Sequence, residues 1–145
     1  MRRYWTSQHD EQVDQAQSLS EMSELALMVI DKIDGEIGMV TGPISTGGLG
    51  SREANIEHFR YTIQKLYDEG HVLFDQTVFD GKLGKFVAHI TDTYPMPILE
   101  DFYLPLFKSG KIKRFYFIKG WESSFGATWE HDRAQELGIE IIYLP

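Results

Sequence analysis

The fold is decided by a C-terminal stretch that opens with Arg114-Phe115-Tyr116-Phe117-Ile118. It continues through Ser124-Phe125-Gly126-Ala127-Thr128-Trp129-Glu130-His131-Asp132-Arg133-Ala134-Gln135-Glu136-Leu137 to Ile139-Glu140-Ile141-Ile142-Tyr143. Short runs rich in aromatic and β-branched residues read as buried strands, and the longer segment between them, stopped by Gly138, reads as a helix. Strand, helix and strand in immediate succession predict a crossover between parallel neighbours. Upstream, Ile37 to Thr41 is a further short apolar strand, running into Gly42-Pro43 and the loop Ser45-Thr46-Gly47-Gly48-Leu49-Gly50. Ser51 then starts a long helix with a core stripe of Ile56, Phe59, Ile63 and Leu66, closed by Gly70, and residues 71–74 form a second strand. A helix is expected over residues 98–108. Between them, Gly81, Gly84, Pro95 and Pro97 argue for a long excursion over residues 75–97, with 85–90 as an edge strand.

Before this alternation the chain is different in character. Residues 1–17 are polar and without period, which predicts a frayed or partly helical extension. Ser18-Leu19-Ser20-Glu21 fits a capping box, and Met22, Ala26, Val29, Ile30 and Ile33 form one apolar stripe, so a helix should run to about Lys32 before Gly35. That stripe needs cover from the sheet domain or from a second subunit. The expectation is an α/β chain: an N-terminal helical extension over residues 1–36, then a flavodoxin-like or Rossmann-like parallel sheet flanked by helices over residues 37–145.

Composition narrows the function classes. The chain has 145 residues, no cysteine and five histidines without shared spacing, so no disulfide framework, metal site or metal cofactor is expected. The formal charge is −8, and the 14 Lys and Arg residues are scattered apart from Lys108, Lys111, Lys113 and Arg114. Duplex nucleic acid is thereby disfavoured and not expected as a partner, while a small phosphorylated ligand stays open. The first fourteen residues lack the apolar run of a signal peptide, and no segment has membrane-spanning length, so a cytoplasmic protein is expected.

Ligands of parallel α/β sheets bind at the carboxyl ends of the strands, where loops 42–50, 75–97 and 119–124 should converge. On the helix that follows the last of these, Ala127, Glu130, Ala134 and Leu137 share one face, and Glu130 interrupts an otherwise apolar stripe. A carboxylate there is either a boundary residue reaching solvent or a partner, or a desolvated nucleophile or base. Asn55 either binds a ligand or caps the loop above it, the glycines at 42 and 47–50 either present amides to a phosphate or simply turn, and Trp121 and Trp129 either stack on a base or pack.

Gly120-Trp121-Glu122, followed by Ser124-x-Gly126-Ala127 and Glu130, with Ala134 and Gly138 beyond, resembles the signature of the nucleoside 2-deoxyribosyltransferase-like superfamily, particularly its small phage and bacterial branch. Thr41-Gly42-Pro43-Ile44, with Asn55 and Phe59 on the following helix, resembles the opening motif of that branch, and Asp101 stands where the family has a second acidic residue. The resemblance covers residues 37–145. It implies cleavage of the N-glycosidic bond of a nucleoside or nucleoside 5′-monophosphate, by hydrolysis or base exchange, with Glu130 as nucleophile and Asp101 protonating or holding the leaving base. It also implies substrate contacts from Gly42, Pro43, Ile44, Asn55, Asp75, Gln76, Trp121, Ser124 and Gly126, no cofactor, and a homodimer or higher homo-oligomer. Where classical transferases carry an acidic residue, six positions before the nucleophile, this chain has Ser124. A neutral hydroxyl beside the amides of Phe125 and Gly126 suits an anion and points toward 5′-monophosphates and hydrolysis. Lys113-Arg114 likewise replaces a frequent acidic residue. Two other classes stay open, a non-catalytic nucleotide-binding or sensor module and a structural or assembly protein.

Overall fold

The computed structural model describes residues 4–145. The elements are α1 (Ser7–Gln15), α2 (Leu19–Asp31), β1 (Ile37–Thr41), α3 (Arg52–Asp68) and α4 (Thr77–Phe86). A π-helical turn (Ile98–Tyr103) then runs into α5 (Leu104–Lys108), followed by β2 (Ile112–Phe117), the 3₁₀ turn Trp121–Ser123, α6 (Phe125–Leu137) and β3 (Glu140–Tyr143). The sheet has the order β1-β2-β3 and both pairings are parallel, so the molecule is an α/β fold of the flavodoxin or Rossmann type.

The expected strand at 71–74 is reduced to one parallel bridge between Leu73 and Gly38. His71 N–H is still tied back to Leu66 of α3, and the Asp75 carboxylate already accepts from the Thr77 amide and hydroxyl at the start of α4. Too few residues are left between these anchors to extend a ladder.

Both sheet faces are buried, as a parallel sheet requires. Ile37, Met39, Phe115 and Phe117 face the larger cluster, with side chains from α2, α4, α5 and the π-helical turn. Val40, Tyr116 and Ile118 face the smaller one, where Phe59, Ile63 and Leu66 of α3 cover them. The alternation along Phe115, Tyr116, Phe117 and Ile118 is the period of two that sends successive side chains to opposite faces. Burying each of these large side chains contributes about 1.5–3 kcal/mol.

The expectation for residues 75–97 needs correction. Residues 77–86 are helical rather than a loop leading to an edge strand: Phe79 and Leu83 are inserted into the core one turn apart, and nothing lies within 4 Å of a Cβ placed at Gly81 or Gly84. Core burial of Phe79 outweighs the roughly 1 kcal/mol helix penalty of each glycine. Of the two covers open to the α2 stripe, the chain supplies the first: Met22, Ala26, Val29 and Ile30 are buried against the π-helical turn, α4 and α5, and the Ser23 hydroxyl donates to the Phe102 carbonyl at 2.9 Å. Residues 19–31 thus share the core of the sheet domain, and no second subunit is needed to cover them. Ser18 caps α2 by accepting from the Glu21 amide, but the Glu21 carboxylate accepts from the Gln17 amide, so the box closes one residue earlier than its pattern suggests. Among the described residues no helix is long and apolar enough to cross a membrane.

Candidate functional site

At the carboxyl ends of β1 and β2 a cleft of about 180 Å³ is lined by Gly42 and Ile44 after β1, Gln76 before α4, and Ser124, Gly126 and Glu130 of the β2–α6 connection. The three segments expected to converge do so, with α4 and the chain up to Tyr94 closing one side. The loop after β1 is fixed from two directions. Asn55, buried on α3, accepts from the Leu49 amide and donates to the carbonyls of Ile44 and Gly47. Thr46 accepts from the Phe125 amide at 3.1 Å, and the Gly48 amide donates to the Ser123 hydroxyl at 2.9 Å. Gly47 has φ +67°, and a Cβ there would stand 2.2 Å from the Ser123 carbonyl oxygen, so only glycine permits this close crossing.

Helix α6 starts under the cleft because Ser124 is extended and its hydroxyl accepts from the Ala127 amide. Glu130 follows within two turns, 8 % exposed, and among the described residues it has no hydrogen bond or ion pair. Burial raises its pKa from 4.5 to about 8, since the charged form loses water and gains no partner. Tyr94 and Tyr103 stand beside it in the cleft. Burial first, and the Glu130 charge second, push Tyr94 up to about 12 and Tyr103 well above the usual phenol value. Tyr94 packs on Phe125 with ring centroids 4.5 Å apart and planes tilted by 32°, and its hydroxyl approaches Gly126 so closely that a Cβ there would lie 2.7 Å away. No known protein family, curated protein or solved structure matches the chain.

Of the residues singled out in the sequence, Gly42, Ile44, Gln76, Ser124, Gly126 and Glu130 share this cleft. Gln76 donates to the Val40 carbonyl at 2.6 Å, while its own side-chain oxygen is buried without a partner among the described residues. Pro43 packs beside Gly48, and Asn55 is the pin of the loop rather than a lining residue. Asp75 caps the start of α4 and borders a separate hollow of about 470 Å³ between α3 and the chain at 70–77. That hollow is larger, but it holds neither Glu130 nor the glycine loop. Asp101 is exposed: the π-helical turn buries Leu99 and Phe102, and Asp101 falls on the opposite side, outside the cleft lining. Trp121 is stacked on His131 at 4.4 Å and lies near Phe117 and Tyr143, so it is a packing aromatic. Trp129 packs on Phe107. Leu137, expected on the buried face of α6, is 40 % exposed.

The expected anion cradle at the start of α6 is smaller than the sequence suggested. Thr46 occupies the Phe125 amide and Ser124 caps Ala127, which leaves the Gly126 amide without an acceptor among the described residues. Four lining residues carried no sequence signal, namely Tyr94, Tyr103 and the ion pair Arg52–Asp80. A residue type known to face Glu130 would have identified them, but each is brought there by an element distant in sequence.

Proposed function

We propose that the chain cleaves the N-glycosidic bond of a nucleoside or nucleoside 5′-monophosphate through a covalent glycosyl ester on Glu130. The single observation that carries this reading is a carboxyl buried without a partner, in a cleft at the strand ends, whose pKa of about 8 lies close to neutral pH. The motif around it, Gly120 to Glu130, resembles that of enzymes in which a glutamate performs this chemistry. In the first step a Glu130 oxygen bonds to C1′ while the C1′–N bond breaks, and the electron pair of that bond leaves on the base nitrogen, which takes up a proton from solvent. In the second step water attacks C1′ and the ester bond breaks, giving the sugar or its 5′-phosphate, the Glu130 carboxylate and a proton returned to solvent; if a second base attacks instead, the outcome is exchange. Splitting the reaction this way replaces one high barrier with two lower ones.

Among the described residues of the cleft lining, Arg52, ion-paired with Asp80, is the cation, and with the Gly126 amide it supports a substrate bearing a 5′-phosphate over a free nucleoside. Asp101 is left out of the mechanism because it is exposed. A cysteine-free chain and a nucleotide substrate fit a cytoplasmic setting, and a homodimer stays a separate proposal, tested by light scattering over a range of concentrations. The second reading, a nucleotide-binding module, is favoured by one observation: a carboxyl with a pKa of about 8 is mostly protonated at neutral pH and then serves as a hydrogen-bond donor.

The separating experiment incubates the protein with a panel of nucleosides and 5′-monophosphates and measures released base by chromatography. The enzyme reading expects release by wild type, a loss of at least about 10³-fold in Glu130→Gln, and ligand binding retained by the variant. Binding without release in both proteins supports the module instead.

A further inference from the structure

The N-terminal helix is held by an imidazole placed between two donors. His9, buried in the third position of α1, accepts from the Thr6 amide through Nδ1 at 3.0 Å, while the Thr6 hydroxyl accepts from the His9 amide, which forms a capping box. The other ring nitrogen, Nε2, stands 3.4 Å from the Lys32 ammonium at the end of α2. A neutral imidazole has one lone pair to offer these two donors and a protonated one has none. Capping boxes ordinarily use Glu or Gln at this position, neither of which becomes a cation.

The same helix braces the wall of the cleft. Trp5 meets His9 at 5.0 Å and Phe79 edge-on at 5.4 Å, and Lys82 of α4 donates to the Asp14 carbonyl at 2.9 Å. One residue beyond Phe79, Asp80 lines the cleft with Leu83 and Gly84 of the same helix. The charged groups around His9 are Lys32 from α2 and Asp10 from α1, whose carboxylate accepts from the Trp5 indole at 2.8 Å. On α4, Lys82 is engaged at Asp14 and Asp80 at Arg52.

We propose that His9 is a proton-sensitive latch: protonation breaks the α1 cap, sets a second cation against Lys32, and releases α1 from α4, so acidification loosens the cleft wall. Burial and then Lys32 lower the pKa of the docked imidazole, with Asp10 opposing them. The sign follows: docking is at full strength above the ordinary histidine value of about 6.5 and weakens as pH falls below it, because the released helix binds the proton more tightly. The inference stands apart from the chemistry of Glu130.

Amide hydrogen exchange at pH 7.5 and 5.5, corrected for intrinsic rates, tests it on the full chain. Exchange in both α1 and α4 should quicken by up to about tenfold at pH 5.5 in wild type, the change in opening equilibrium that one proton allows over this range. His9→Gln keeps an acceptor for the Thr6 amide and cannot be charged, so it should hold α1 and α4 equally protected at both pH values. An unchanged wild type, the same acid response in His9→Gln, or a response confined to α1 would overturn the proposal.

Discussion

At the scale of the residue, Glu130 is the feature with the largest physical consequence. Between pH 4.5 and about 8 the unfolded chain gives up the Glu130 proton while the folded chain keeps it, so folding loses stability as pH rises through this window and the loss is complete above it. Glu130→Gln removes the penalty. Its stability relative to wild type is expected to increase by up to about 5 kcal/mol between pH 4 and pH 9, read from urea unfolding at each pH. A constant difference would mean that the carboxyl is paired or solvated. This residue was legible in the sequence because an acid among Ala127 and Ala134 breaks a helical stripe. Tyr94, Arg52 and Asp80 were not, since no local period relates them to Glu130 and tertiary packing alone brings them together. Asp101 was named by the family resemblance alone, and the π-helical turn that buries Leu99 and Phe102 leaves it exposed.

At the scale of the element, the sheet and its flanking helices followed from apolar runs, caps and glycine stops, whereas α4 did not. Two glycines in ten residues suggested a loop, yet Phe79 sits between Phe74, Phe102 and Trp5 with ring centroids 5.4–5.9 Å away and is completely buried. Tertiary burial here overrides local propensity. Phe79→Ala should therefore cost about 3–5 kcal/mol in denaturant unfolding, well above the 1 kcal/mol or so typical of a surface change. A loss below about 1 kcal/mol would show that α4 is not anchored through this side chain. The strand at 71–74 failed in the opposite direction. Its residues suit a strand, but the α3 cap and the Asp75–Thr77 bonds leave room for one bridge.

At the scale of the whole molecule, the parallel sheet fixes where a site can lie and the loops fix what it contains. Loop 42–48 is tied to residues 123–125 by Thr46 and Ser123 and pinned to α3 through Asn55, while α4, braced by α1, lines another side of the cleft. The placement of a site over the strand ends was legible from topology alone. Its membership was not, because about a third of the lining comes from residues 75–97, which the sequence suggested to be a loop with an edge strand. Nucleophilic attack by Glu130 would be read out by the pH dependence of base release. A nucleophile must be ionised, so kcat/KM for the best substrate of the panel should rise with pH and level off above about 8, and the rise should be absent with Glu130→Gln, which releases no base. A rate that instead falls as pH passes through 8 would assign Glu130 the role of an acid, and a Glu130→Gln variant as fast as wild type would contradict any catalytic role for it.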